Sequence, residues 1–162
     1  MPNQDTVRIP LRAKDGSVRA YALIDAADVE WVNRWRWYLT TGYAARSEVT
    51  KRQKRTIFLH RMLLGLRPGD GFEGDHINRD TLDDRRSNLR RVRRAQGHQN
   101  LPSQKRGTSS KRGVGWIARL GKWRARLMLD GKEHHLGLFE TEQEAAEAAR
   151  AGRARLMPFS VD

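Results

Sequence analysis

The sequence predicts an α+β chain made of two small parts that differ in pattern, and three observations carry this. Before residue 101, short patterned segments alternate with turn dipeptides; after residue 112, one hairpin pattern runs into an alanine-rich helix pattern; residues 101–111 between them are polar and basic. Val18 to Ile24 follows Asp15-Gly16, Trp35 to Leu39 precedes Thr40-Thr41-Gly42, and a further segment begins at Tyr43, so each reads as a strand. Asp25 to Val32 has an acidic start, with Val29 and Val32 spaced for one or two helical turns. Thr56 to Leu64 is the most apolar run, closed by the turn chemistry of Arg67-Pro68-Gly69-Asp70-Gly71.

The later part is patterned more sharply. Trp123, Ala125, Leu127 and Leu129 alternate with Arg124, Arg126 and Met128, which predicts a strand with one core face and one basic face. Asp130-Gly131 is a two-residue hairpin signal, and Lys132 to Leu138 supplies the returning strand. Thr141 with Glu144 three residues on forms a capping box, from which a helix should run to about Arg155. The expected unit is an antiparallel sheet with one helix across its Trp123 face.

With 162 residues, the chain holds one ordinary domain or two very small ones. Thirty-two Lys and Arg against nineteen Asp and Glu leave a net charge of +13, which calls for a polyanionic partner. With no cysteine, neither a disulfide framework nor a thiolate zinc site can hold the fold. No apolar run reaches the roughly 20 residues of a membrane helix, and MPNQDTVRIPLR is no secretory leader, so a soluble, cytoplasmic protein is expected.

Residues 73–100, EGDHINRDTLDDRRSNLRRVRRAQGHQN, carry the chemistry. On a strand, adjacent Asp75 and His76 point to opposite sides, so a carboxylate can hold a hard cation while an imidazole acts as general base. That pair suits metal-assisted hydrolysis of a phosphodiester, in which water is activated on one side of phosphorus and charge is neutralised on the other. An Asp-His dipeptide alone is a weak signal.

The wider wording is stronger: DHIN, LDDRRSNLR and the later HQN together resemble the HNH motif of phage and homing-type endonucleases. IPL (9–11), residues 21–46 and LHRMLLG (59–65) are similar to the leader that precedes the motif there, and residues 112–149 resemble the ethylene-response-factor type of DNA-binding domain often appended to it. The resemblance implies a nuclease domain with leader over 1–100, a basic linker over 101–111 and a DNA-binding domain over 112–158. It also implies a ββα-metal core, with strands at Phe72 to His76 and Leu89 to Val92 and a helix from about Arg94 to Asn100. By the same resemblance His76 is the general base, Asp75 a metal ligand and Asn88 the residue that braces the loop and orients His76. The activity implied is hydrolysis of double-stranded DNA by a monomer or homodimer, with Mg²⁺ or Mn²⁺ as cofactor and Zn²⁺ or Ni²⁺ open to a histidine ligand.

Two positions depart from the pattern. The second metal ligand falls on Gly97, which has no side chain, and His98 lies one residue later, about 100° round an ideal helix. Three readings follow: His98 replaces the ligand through a distortion that Gly97 permits, Asp75 holds the ion with phosphate and water, or the nuclease is weakened and the chain is a DNA-binding regulator. Asp84 stands where Asn is usual and reads as a solvated turn carboxylate. His60, between Leu59 and Leu63, reads as a buried structural hydrogen bonder, and Trp31, Trp35, Trp37 and Tyr38 read as core. Arg85, Arg86, Arg90 and Arg93 around the motif, and Arg112, Arg124 and Arg126 in the later part, are the expected phosphate and base contacts. Leu120 and His135 stand where the plant domains carry DNA-facing tryptophans, so their target sequence does not transfer.

Overall fold

The computed structural model describes residues 5–51, 53–101 and 108–161, so most of the expected linker lies outside the described residues. The chain divides into two compact units, Met1–Arg94 and Ala95–Asp162.

In the first unit, strand β1 (Thr6–Arg12) pairs antiparallel with β2 (Val18–Asp25), and alternation along them buries Ile9, Leu11, Ala22 and Ile24 on one side. A 3₁₀ turn at Ala26–Asp28 runs into the one-turn helix α1 (Val29–Val32). Next come β3 (Tyr38–Thr40), β4 (Tyr43–Val49) and β5 (Lys54–Phe58), which form a three-stranded antiparallel sheet with β4 in the middle. The strand expected over Trp35 to Leu39 thus starts later, at Tyr38. Trp37 instead folds into the core at 2% exposure and donates its indole N–H to the Val32 carbonyl at 2.9 Å, while its own carbonyl accepts from Arg12 N at 2.9 Å. The apolar run 56–64 is split between the end of β5 and helix α2 (Leu59–Leu63). The two-stranded ribbon β6 (Glu73–His76) and β7 (Leu89–Val92) follows, with a long loop between its strands.

Helix α3 (Arg94–Gly97) is a single turn and the chain continues as a 3₁₀ turn over His98–Asn100, so the helix expected through Asn100 changes type at Gly97. In the second unit β8 (Val114–Ile117), β9 (Lys122–Leu129) and β10 (Lys132–Phe139) form an antiparallel sheet with β9 central. Ala125 and Leu127 of β9 are buried while Arg126 and Met128 face solvent, as the alternation requires. Helix α4 (Glu142–Leu156) packs Ala145 and Ala149 against Val114 and Ala125. Its capping box is complete: Thr141 Oγ1 accepts from Glu144 N, and Glu144 reaches back to Thr141 N at 3.0 Å. Among the described residues, no helix is long and apolar enough to cross a membrane.

Gly113 fixes the start of this sheet. Its φ is +79°, its carbonyl accepts from Arg126 N at 2.8 Å, and a Cβ there would lie 2.3 Å from the Arg126 carbonyl oxygen. Gly113→Ala should therefore lower stability by about 2 kcal/mol or more in urea unfolding, because neither the dihedral nor the backbone neighbour can yield cheaply.

Candidate functional site

The ribbon β6/β7 separates the two neighbours of the Asp-His pair, as strand geometry demands. Asp75 faces Arg90 across the register, and the Arg90 guanidinium donates to Oδ2 at 2.7 Å. His76 turns inward and keeps only 4% of its surface. Gly74 precedes them for a steric reason: a Cβ would lie 2.6 Å from the His60 ring.

Asn88 closes the loop that joins the strands. Its Oδ1 accepts from Asn78 N at 2.9 Å, its Nδ2 donates to the Asp83 carbonyl at 2.7 Å, and its own carbonyl accepts from Ile77 N at 2.8 Å. One buried amide thereby ties both ends of the loop to its middle, a wider role than an Asx turn. Asp83 is locked in turn by a two-point contact from Arg85 at 2.6 Å and by Asn78 Nδ2 at 2.8 Å. These bonds, led by the one from Arg85, hold the Asp83 carboxyl below its ordinary range. Thr81 donates to the Gly42 carbonyl, and Leu23 N donates to the Leu82 carbonyl, so the loop is anchored on the leader strands.

This bracing carries Asp84 inward, where it is 1% exposed; the expectation of a solvated carboxylate is corrected. Asp84 Oδ1 lies 3.1 Å from His76 Nε2, while Oδ2 is buried with no hydrogen-bond partner. Burial raises the Asp84 carboxyl above its usual range, partly opposed by the bond to His76. His60 completes the group: its ring packs edge-on against His76 with centroids 5.0 Å apart, and Tyr43 lies against both rings. Burial, followed by the charge of His76 and of Arg61, pushes the His60 imidazole down to about 3, so it is neutral at physiological pH. His60 is buried as expected, but ring contacts with Tyr43, Phe58 and His76 hold it rather than a structural hydrogen bond. His60, His76 and Asp84 each offer a ligand atom within 4.8 Å of the others, the one such group among the described residues.

Sequence reasoning missed the joint role of Asp84 and His60. The only signal was a second carboxylate in LDDRRSN where an amide is usual, together with a histidine set on an apolar helix face.

Several of the arginines expected at phosphate also make contacts within their own unit. Arg85 is forked onto Asp83, and Arg86 donates to both oxygens of Asp28 at 2.9 and 2.8 Å and to the Leu63 carbonyl. Arg90 is paired with Asp75, and Arg91 and Arg93 lie over the Phe72 ring at 4.6 and 5.9 Å. In the second unit Arg112 is also internal, donating to Ser160 Oγ and the Gln99 carbonyl, whereas Arg124 and Arg126 share Glu133 on the sheet face. His98 belongs to the second unit, is exposed, and lines a shallow pocket with Met128, Leu129 and Met157.

Cations gather elsewhere in the first unit. Arg12, Lys14, Arg19, Arg36, Arg46 and Lys54 line an open groove of about 800 Å³ without an acidic residue. Trp35 and Tyr38 contribute to its wall, with the Arg46 guanidinium 4.6 Å from the Trp35 ring centre. Trp35 was expected in the core and is instead exposed.

The residues present fit a hard divalent cation at Asp75 only in part, because this carboxylate supplies oxygen donors while Gly97 supplies none. The buried trio has a different donor set, two imidazoles and a carboxylate, which suits borderline transition ions.

Comparison with known proteins bears on this geometry. An uncharacterized HNH endonuclease of Acanthamoeba polyphaga mimivirus is 29% identical to the chain over 117 residues, covering 72% of the chain and 59% of the viral protein. The similarity points to the HNH nucleases. It is a distant one, and the chain spans about three fifths of that relative's length. No family model and no solved structure matches. The comparisons lend no support to the ethylene-response-factor resemblance of residues 112–149, whose established content is a three-stranded sheet with one helix.

Two consequences can be measured. From pH 6.5 down to about 3 the unfolded chain binds a proton at His60 that the folded chain does not. This group's contribution therefore falls as pH falls through that window, by at most about 1.4 kcal/mol per pH unit. His60→Gln should flatten the dependence of unfolding free energy on pH over that range, measured with urea. Arg86→Ala leaves the buried Asp28 carboxylate without its main partner and should lower stability by about 2 kcal/mol at neutral pH.

Proposed function

We propose that the chain is an HNH-type DNA endonuclease that hydrolyses phosphodiester bonds with His76 as general base. The observation that carries the reading is the His76–Asp84 contact at 3.1 Å inside a loop closed by Asn88, because it fixes the imidazole of the motif through one ring nitrogen beside a buried carboxylate. With the proton of the ring on Nε2 and directed at Asp84, the lone pair sits on Nδ1, which takes the proton of the attacking water. Asp84 is a positioning residue: it holds the tautomer and balances the charge that the imidazole gains. Asn88 acts one step further out, by fixing the backbone on which Asp84 is carried.

Asp75 is the residue that would hold Mg²⁺ or Mn²⁺, with substrate oxygens and water completing the set, and such an ion supplies charge neutralisation at the scissile phosphate. Arg90 holds the Asp75 carboxylate in place across the ribbon. His98, the other ligand candidate, carries no step in this reading. Water attack opposite the 3′-oxygen gives 5′-phosphate and 3′-hydroxyl ends, and a monomer with one such site nicks a duplex.

The groove lined by Lys14, Arg19 and Lys54 is the surface that holds duplex DNA in the first unit, since the arginines of the motif are engaged in holding the fold. Arg124 and Arg126 on the second unit's sheet are further contacts there. Gly97 favours a second reading, a DNA-binding regulator without cleavage, and the test separates the two.

Supercoiled plasmid incubated with Mg²⁺ or Mn²⁺ should be converted to the nicked form, with EDTA and His76→Ala each reducing conversion at least 100-fold. DNA binding indifferent to chelator with no scission in any metal would favour the regulator. The double variant Lys14→Glu, Arg19→Glu should weaken duplex binding about tenfold or more and reduce the slope of log K against log salt by about 2.

A further inference from the structure

We propose that His60, His76 and Asp84 form a metal site of their own, which takes a borderline divalent transition ion such as Zn²⁺ or Co²⁺ in preference to Mg²⁺. Three features of the cluster point there. Its donors are two imidazole nitrogens and one carboxylate oxygen, a set that Zn²⁺, Co²⁺ and Ni²⁺ take readily, whereas Mg²⁺ prefers oxygen alone.

Second, the cluster holds unused lone pairs. Asp84 is 1% exposed and its Oδ2 has no hydrogen-bond partner, an arrangement that costs free energy unless a cation or donor meets it. His60 is 7% exposed and held by ring contacts, so its imidazole is a buried neutral base facing the same space.

Third, the positions are already close. All three ligand atoms lie within 4.8 Å of one another and the His76–Asp84 pair is at 3.1 Å, near the edge of about 3.3 Å between ligands around a tetrahedral zinc. Gly74 keeps the His60 ring in this seat, because any side chain there would displace it.

Binding changes the tautomer of His76: the ion takes the ring nitrogen that faces Asp84, and the single proton of the neutral ring is exchanged through solvent to the other nitrogen, with no net release of a proton from the ring. On the nuclease reading above, this ion removes the general base, so Zn²⁺ should block cleavage supported by Mg²⁺; the existence of the site does not depend on that reading.

The test uses the full chain stripped of metal. Titration with Co²⁺ should give visible d–d bands stronger than those of aqueous Co²⁺ and displaced by Zn²⁺, with affinity at least tenfold weaker in His60→Gln and Asp84→Asn and unaltered in His135→Gln. Unaltered titration in the first two variants, or loss of the bands in His135→Gln, would overturn the proposal. Because a buried variant can unfold, the unaltered chain is also followed by NMR: Zn²⁺ should shift the ring nitrogens of His60 and His76 and leave His98, His134 and His135 in place. A response confined to the latter three would overturn the site. Zn²⁺ binding at His60 and His76 in a chain that never nicks DNA with Mg²⁺ would contradict the nuclease and uphold the site; nicking with no Zn²⁺ response at those rings would do the reverse.

Discussion

A carboxylate taken almost entirely out of water must be held against a large desolvation cost, and Asp84 is such a group. Its contact with His76 recovers part of that cost, but the ring cannot bring the carboxylate in by itself. The loop does so, through Asn88 at its closure, the Arg85 fork on Asp83 beside it, and the backbone bond from Leu23 to Leu82. The leader strands are thus part of the site's construction. β2 and the Thr81–Gly42 bond add to Asn88 in holding the loop against the ribbon that carries His76.

Charge in this protein is divided between two tasks. Arg85, Arg86, Arg90 and Arg112 are used within their units to satisfy Asp83, Asp28, Asp75 and a backbone carbonyl. Such pairs specify geometry more than they add stability, because a guanidinium fork admits few alternatives. The excess positive charge that remains for a polyanion lies on other surfaces, above all the groove between Lys14, Arg19 and Lys54. A net charge of +13 therefore suits a polyanionic partner without saying which side chains would meet it.

Legibility in the sequence followed local chemistry. The β9/β10 hairpin, the Thr141 cap and the ribbon strand Leu89–Val92 were readable because alternation, a turn dipeptide, a capping box and a motif each act within a few residues. Trp35 to Trp37 misled because alternation looks the same in a strand and in an irregular segment that buries one tryptophan and exposes another. Asp84 and His60 were illegible as partners of His76, since no periodic rule links positions brought together by a loop and a separate helix. The pairing of Arg86 with Asp28 was illegible for a related reason, since the two positions are 58 residues apart.

Asp84 holds the imidazole of His76 through Nε2. A long-range ¹H–¹⁵N spectrum of the ring nitrogens reads this directly at neutral pH in the metal-free chain. A protonated Nε2 and an unprotonated Nδ1 are expected at His76, with that preference lost in Asp84→Asn. A proton on Nδ1 in the unaltered chain, or a tautomer indifferent to Asp84→Asn, would contradict it.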